Sequence, residues 1–234
     1  NGTRTLTARI DSNRYRFNAA SGTADATVDG GGAPIITTHA PTTEWAEQAY
    51  SSVRGYPACV TFHENRLWFG GTPSQPDTIW SSKSNDFFNF DVGTAATGDS
   101  IELVASIGEI NTIRHMISNR DLHVFTSTSE FFVPAFANTP ISPTNAQVKR
   151  QTPFGSNFVK PILLDGTTIY CLASNTSVAE YVFADTQQAY TSNIISTVSS
   201  HLIKTPHQMA VLQGALDRPE SYVYFVNGDG SIAV

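Results

Sequence analysis

The chain has few charged residues: Asp, Glu, Lys and Arg make up 15% of its 234 positions, against about a quarter in an ordinary soluble domain. The 14 Lys and Arg residues are outnumbered by 20 Asp and Glu residues, which gives a formal net charge of −6. The basic residues are scattered along the sequence, whereas proteins that bind nucleic acid cluster positive charge to neutralise phosphates. The composition therefore argues against specific nucleic-acid binding.

Long apolar runs and cysteines are also scarce. No stretch approaches the roughly 18 consecutive apolar residues of a membrane-spanning helix, so the sequence predicts no membrane partner. The only cysteines are Cys59 and Cys171, which excludes a disulfide-rich secreted fold. They belong to different predicted sheets and are interpreted as buried thiols that act as small hydrophobic side chains, with a disulfide as the less favoured alternative.

Motifs that carry known chemistries are missing as well. The sequence has no G-x-S-x-G elbow, P-loop, H-E-x-x-H or C-x-x-C. His115 and His123 lie on consecutive predicted strands and are interpreted as structural residues rather than metal ligands. The segment 227–231 begins like a calcium loop, but Ile232 stands where such a loop needs glycine, so a hairpin turn is predicted. We expect no catalytic residue, no metal site and no cofactor.

What the sequence does contain is a repeated unit of three short apolar strands. Equivalent positions in the middle strands are spaced by 55, 47 and 54 residues. Three short strands in about 50 residues are typical of β-propeller blades, which must stack to bury their faces. The prediction is an all-β fold, a β-propeller-like array of about four small antiparallel sheets. The four units lie at about residues 55–92, 107–137, 157–187 and 205–234.

The repeats divide the chain into two predicted domains. Residues 1–42 are predicted to form an N-terminal module. Two runs of alternating residues around Asp11-Ser12-Asn13 predict a β-hairpin, and a Gly- and Thr-rich linker follows it. Residues 43–234 form the propeller-like domain. Because the sequence starts without Met and stops inside an apparent strand, we expect the array to be an incomplete part of a larger propeller protein.

Several shorter segments receive predictions of their own. Residues 44–52 are predicted to form one or two helical turns. Residues 91–106 and 134–158 are predicted as linkers between units, the second because it is rich in proline. The β-branched run 194–198 predicts a further strand, and Asp165-Gly166 predicts a tight turn.

The most distinctive stretch runs from Arg54 to Phe90. It contains G-x-P, an apolar run, F-H, R-L-x-F-x-G-T, then I-x-x-S and finally x-F-x-N-F. In this order and spacing the stretch resembles the tail tubular protein B, or tail nozzle, family of short-tailed bacteriophages. The strong resemblance covers about 40 residues, and the hairpin within residues 1–17 is similar to a small β module that such proteins carry upstream.

This resemblance implies a structural protein of the virion, located in the phage tail. The family's copies assemble as a ring, generally a hexamer, that contacts the tail adaptor protein and the tail fibres. DNA passes through the ring without specific binding, and an acidic wall suits that passage because DNA should slide without sticking.

A physical interpretation of the motif gives each residue an architectural role. Gly55 and Pro57 set the entry to the first unit, and Gly70-Gly71 permit a close backbone approach. Arg66 is expected to pair with a carboxylate at the hairpin turn. The remaining large side chains are expected to fill contacts between sheets; they are Trp68, Trp80 and Phe90.

Two other functions stay open from the sequence. One is a receptor- or glycan-binding propeller module, with Trp45, Trp80 or Tyr190 stacking on sugars. The other is a polysaccharide-cleaving enzyme that uses a carboxylate pair such as Asp99 and Glu102, although the sequence cannot place two carboxylates across a cleft.

Overall fold

The computed structural model describes residues 6–9, 15–17, 50–105, 108, 111–135, 139–217 and 219–234. The chain divides into two compact units, Asn1–Gln48 and Ala49–Val234. In the first unit, β1 (Leu6–Arg9) and β2 (Tyr15–Phe17) pair in antiparallel fashion. The two strands of the predicted hairpin are thereby confirmed, while its turn lies outside the described residues.

The second unit consists of four antiparallel sheets in which strands pair in chain order. The first sheet contains β3 (Cys59–His63), β4 (Arg66–Gly70), β5 (Thr78–Ser81) and β6 (Ile101–Val104). The second contains β7 (Ile113–Ser118), β8 (Leu122–Thr126), β9 (Glu130–Val133) and β10 (Lys149–Thr152). The third contains β11 (Ile162–Leu164), β12 (Thr167–Cys171), β13 (Val178–Ala184) and β14 (Ala189–Ile194). The fourth contains β15 (Pro206–Leu212), β16 (Tyr222–Asn227) and β17 (Ile232–Ala233), and a 3-10 helix, Ser200–Leu202, precedes it.

The predicted all-β class and the succession of small antiparallel sheets are confirmed, and the arrangement is propeller-like. Each of the first three sheets also has a fourth strand that the sequence did not predict: β6, β10 and β14. Strands β6 and β10 lie in the predicted linkers. They have no clear sequence signal because an edge strand buries one face at most and needs no sustained apolar pattern. Within the described residues, no helix is long and apolar enough to cross a lipid bilayer.

One local prediction is wrong, one lies largely outside the described residues, and one is confirmed. The β-branched run 194–198 is not a strand, since β14 ends at Ile194 and turns follow it. The predicted helical turn over 44–52 lies mostly outside the described residues, and its described part bends instead, with Ser51 bridging Gly55. The predicted turn at Asp165-Gly166 is confirmed, with φ of 48° and 83°.

Neighbouring sheets pack face to face because strand side chains alternate between two faces. In β8, Leu122 and Val124 join a buried cluster with Trp68 of the first sheet. Phe125 points the other way and joins a second cluster with Tyr170 of the third sheet. Fully burying one such side chain stabilises the fold by about 1.5–3 kcal/mol. Since all five residues of β8 are buried, this strand lies at the centre of the stack.

The third and fourth sheets also pack face to face, with Ile169 and Cys171 of the third against Phe225 of the fourth. The two outermost faces are only partly covered: Phe62 is 61% exposed on the first sheet and Ile232 is 65% exposed on the fourth. The middle-strand aromatics on these faces, Phe69 and Tyr224, are half-buried.

Equivalent ends of the strands lie side by side in successive sheets. Because each sheet is a meander, its odd-to-even hairpin loops, such as β3–β4 and β5–β6, all lie at one end, which we call the hairpin end. The Arg66 guanidinium in the first sheet reaches the β9–β10 loop of the second. The Asn119 amide, in the β7–β8 loop, donates to Gly166 O, in the β11–β12 loop, at 2.9 Å. The hairpin ends of successive sheets therefore coincide.

Candidate functional site

The buried guanidinium of Arg66 is the centre of the motif region. Its side chain is 1% exposed. Nη1 donates to Ser82 O at 2.8 Å and to Asp99 O at 2.6 Å. Nη2 donates to Thr97 O at 2.8 Å and to Ile141 O at 3.2 Å. The expected partner was a side-chain carboxylate, and that prediction is wrong: four backbone carbonyls accept from Arg66. A planar fork of donors is suited to gathering several loop carbonyls at once.

The β3–β4 turn holds the β9–β10 loop at a second point. We call Glu64 and Arg66, together with the backbone groups that they bind, the clamp. The Glu64 carboxylate accepts a hydrogen bond from Ile141 N at 3.1 Å, so the backbone of Ile141 is held on both sides. The Ile141 side chain lies in the cluster between the first and second sheets. Burial lowers the pKa of Arg66, and the nearby Glu64 and Asp99 oppose that effect. The clamp thus ties the β9–β10 loop of one sheet to a hairpin of the sheet before it.

Asp99 is occupied by its own loop. One carboxylate oxygen accepts from Thr94 N at 3.1 Å and from Ala96 N at 2.8 Å, and the other lies 3.3 Å from the Lys83 ammonium. These hydrogen bonds lower the pKa of Asp99. Glu102 is exposed on β6. The Asp99 carboxylate is thus engaged by its own loop and by Lys83, whereas the Glu102 carboxylate lies exposed on a strand.

A second set of buried polar groups lies between the second and third sheets. The Tyr190 hydroxyl donates to Asp121 Oδ2 at 2.5 Å, and Ala135 N donates to Asp121 Oδ1 at 2.7 Å. His123 Nδ1 lies 2.9 Å from Thr168 Oγ1, the hydroxyl of the facing sheet. Burial lowers the pKa of His123 to about 4, so the imidazole is neutral near pH 7.

Glu130 belongs to the same layer and is completely buried. Its Oε2 accepts from the Thr152 hydroxyl at 2.5 Å and from Phe154 N at 3.3 Å. Burial raises the pKa of this carboxyl to about 6. In the sequence Glu130 lies within the second predicted unit and carries no functional motif. The available signal was a lone acid at the start of the apolar run Glu-Phe-Phe-Val, where the alternation demands an inward side chain.

The other residues that the sequence singled out have structural roles. Cys59 and Cys171 are free thiols that pack in different clusters, as expected. His115 Nε2 lies 2.9 Å from Phe158 O. The turn after β16 is a hairpin in which Asp229 accepts from Ser231 N. Among the described residues no group of three or more His, Cys, Asp or Glu side chains could hold a metal ion.

The motif's large aromatic residues divide between two places. Trp68 is fully buried between the first and second sheets, as expected, and its Nε1 donates to His63 O at 3.0 Å. Trp80 and Phe90 lie instead on the outer face of the first sheet, packed around the Tyr50 ring with centroids 5.2 Å and 6.4 Å away. The expectation that these two fill a contact between sheets is therefore wrong.

Two of the three residues expected to stack on glycans, Trp80 and Tyr190, are not available at the surface. Trp80 is 7% exposed and Tyr190 is 4% exposed, so neither can stack on a sugar without unpacking the fold. Trp45 lies outside the described residues. The expected close approach at Gly70-Gly71 is found, since a Cβ on Gly70 would lie 2.9 Å from Ile113 Cγ2.

Charge is distributed unequally between the two ends of the stack. Six exposed carboxylates lie in loops at the hairpin end: Asp86, Asp91, Asp165, Asp185, Asp217 and Glu220. Among the described residues, the exposed cations nearest that end are fewer: Arg120, Lys149 and Arg150. At the opposite end, the exposed charged residues within the described ranges are Lys160, Lys204 and Asp229, and the last two form an ion pair at 3.0 Å. The hairpin end is thus the acidic end.

No protein-family model matches the chain, and no curated protein matches it with significance.

Proposed function

We propose that this chain is a structural component of a bacteriophage tail, part of the nozzle or tail tube through which the genome is retained and then ejected. The observation that carries the proposal is the structural role of the motif residue Arg66. Arg66, at the centre of the motif, is buried against four backbone carbonyls. Its guanidinium therefore holds the scaffold together and is not free to bind a substrate.

The proposed protein is a non-catalytic virion component. It forms a ring with other copies of itself, with a hexamer expected, and contacts the tail adaptor protein and the tail fibres. Exposed apolar side chains on the end sheets and in loops offer surfaces for such contacts; Phe88, for example, is 93% exposed. Exposed apolar patches often mark sites of protein association.

The unequal charge suggests which end faces the genome. DNA carries a negative charge at every phosphate, and a surface of like charge lets it pass without adhering. We assign the acidic hairpin end to the wall of the conduit. In the assembled ring, lumen-facing Asp and Glu should outnumber Lys and Arg.

Electron microscopy of a virion that carries this chain tests the proposal directly. The fold of residues 50–234 should fit density in the distal tail, with the hairpin ends towards the channel. Density elsewhere in the particle, or a channel lined mainly by Lys and Arg, would contradict it.

A functional test uses charge reversal in infectious particles. Asp165→Lys with Asp185→Lys adds positive charge at the hairpin end, so genome release should slow because the wall then attracts DNA. Asp229→Lys, an exposed acid at the opposite end of the stack, serves as the control and should release DNA at the normal rate. Equal rates for both variants would refute the assignment of the lumen.

The alternatives remain distinguishable from this proposal. Saturable binding of the folded chain to a host polysaccharide or lipopolysaccharide would favour the receptor-binding function. Cleavage of polysaccharide, abolished by substitution of one carboxylate, would favour the enzyme.

A further inference from the structure

Glu130 lies in the interior of the sheet stack and points towards the third sheet. Its neighbours on β9, Phe131 and Val133, belong to the cluster shared with the first sheet. Phe132 belongs to the cluster shared with the third sheet, and alternation places Glu130 on the same side as Phe132. No part of Glu130 is exposed to solvent.

Hydrogen bonding satisfies only half of this carboxyl group. Oε2 accepts from Thr152 and from Phe154 N, whereas Oε1 is buried without a hydrogen-bond partner. The hydroxyl of Tyr181, on the facing sheet, is likewise buried without one. Buried polar atoms in native proteins nearly always have partners, so two unpaired oxygens in one layer need an explanation.

Most titratable groups around Glu130 are neutral or acidic. Those that face this layer are Asp121 and His123 from the second sheet and Tyr170, Tyr181 and Tyr190 from the third. Arg114 of β7 also faces the third sheet, but its guanidinium donates to Ser156 O and lies over the Phe158 ring. On β10, Lys149 and Arg150 are exposed to solvent. Within the described residues no ion pair involves Glu130. An ionised carboxylate here is buried among neutral and acidic groups, which is unfavourable.

We propose that Glu130 is a proton-binding site that couples the packing of the second sheet against the third to pH. In neutral solution the carboxylate is ionised and weakens this interface. On acidification it takes up one proton, loses its charge and gains an O–H donor, and the interface becomes more stable. The proposal rests on the sheet stack alone and is independent of the proposed function.

The direction of the effect follows from linkage. Burial raises the pKa of Glu130 from 4.5 to about 6, so the folded state binds this proton more tightly than the unfolded state. The contribution to stability is complete below about pH 4.5 and is lost as the pH rises through about 6. His123 acts in the opposite direction, because its lowered pKa makes the unfolded state the better proton acceptor on acidification. A comparison of wild type with a Glu130 variant cancels the contribution of His123.

Glu130→Gln provides the test because the amide is neutral at every pH and keeps the shape of the side chain. Stability is measured by urea unfolding from pH 4 to pH 8 for wild type, for Glu130→Gln and for the matched control Glu102→Gln, whose carboxyl is exposed. The folding equilibrium constant of Glu130→Gln relative to wild type should rise by about 20- to 30-fold between pH 4 and pH 8. The ratio for Glu102→Gln should stay constant. A constant ratio for Glu130→Gln would overturn the proposal.

A second measurement keeps the test independent of the variant's folding. Carbon-13 NMR of wild-type protein labelled at the glutamate carboxyl should show one resonance that titrates near pH 6, well above the others. If every glutamate in the folded protein titrates below pH 5, Glu130 is not the proposed site.

Discussion

Replacement of Arg66 by methionine should remove a large part of the stability of the sheet stack. The guanidinium donates four hydrogen bonds of 2.6–3.2 Å to Ser82, Thr97, Asp99 and Ile141. A hydrogen bond to a charged group contributes roughly 1.5–3 kcal/mol, but the four bonds do not add, because the variant also avoids the cost of burying a charge. A buried acceptor left without a donor costs about 1–3 kcal/mol, and the hydrogen bonds to Ser82 O and Ile141 O are both buried. We therefore expect a net loss of about 3–5 kcal/mol.

Arg66→Lys refines the prediction. Lysine keeps the charge, but one compact ammonium cannot reach four carbonyls that a planar fork brings together. We expect a loss of about 2 kcal/mol, smaller than for methionine. The difference between the two variants separates the charge from the geometry of the donors.

Urea unfolding followed by tryptophan fluorescence measures these losses, since Trp68 lies in the adjacent cluster. Arg150→Met is the matched control because Arg150 is exposed on the edge strand β10, and its loss should stay below about 0.5 kcal/mol. If Arg66→Met costs no more than this control, the four hydrogen bonds do not stabilise the fold and the clamp has no structural role. Native domains are stable by about 5–15 kcal/mol, so a true effect is measurable.

Three further predictions concern single positions. Gly155→Ala should be strongly destabilising, because φ is +72° and a Cβ would collide with the backbone of the β8–β9 loop. Gly166→Ala should cost only about 1–2 kcal/mol, because φ is +83° but the Cβ would lie in open space. Comparable losses of stability for the two variants in thermal unfolding would contradict this. Burial raises the thiol pKa of both Cys59 and Cys171 to about 12, so neither should react with a thiol reagent at pH 8 until the protein is unfolded, and rapid labelling of the native protein would disprove it. Burial lowers the pKa of His123 to about 4, so the stability of wild type relative to His123→Gln should fall by about 3 kcal/mol as the pH drops from 6.5 to below 4; a difference that does not change with pH would show that His123 makes no such contribution.

The sequence predicted the central strands well and the edge strands poorly, for one physical reason. The middle strand β8 is buried at every position, and its apolar run is legible in the sequence. Strand β10 reads Lys-Arg-Gln-Thr and has two exposed residues. It forms because β9 offers it backbone hydrogen bonds, and such pairing leaves no mark in the composition of the added strand.

The polar residues between sheets were the harder part of the prediction. The sequence indicated that Arg66 is structural, but its partners are carbonyls of loops up to 75 residues away, and a backbone carbonyl has no sequence signature. Glu130 shows the same limit, because its burial depends on the third sheet packing over it. Residues whose roles depend on neighbours distant in sequence cannot be assigned from local pattern.

The low charge content of the chain is a consequence of this architecture. In each inner sheet both faces pack against another sheet, so alternation offers few positions where a charged side chain meets water. Apart from buried residues such as Arg66 and Glu130, charges therefore lie mainly in loops, edge strands and outer faces, and the six exposed carboxylates of the hairpin end all lie in loops. If such a stack lines a DNA conduit, its acidic wall must be built from loops rather than strand faces. The charge of that wall can then vary with loop sequence while the packed sheets, which tolerate little change, stay the same.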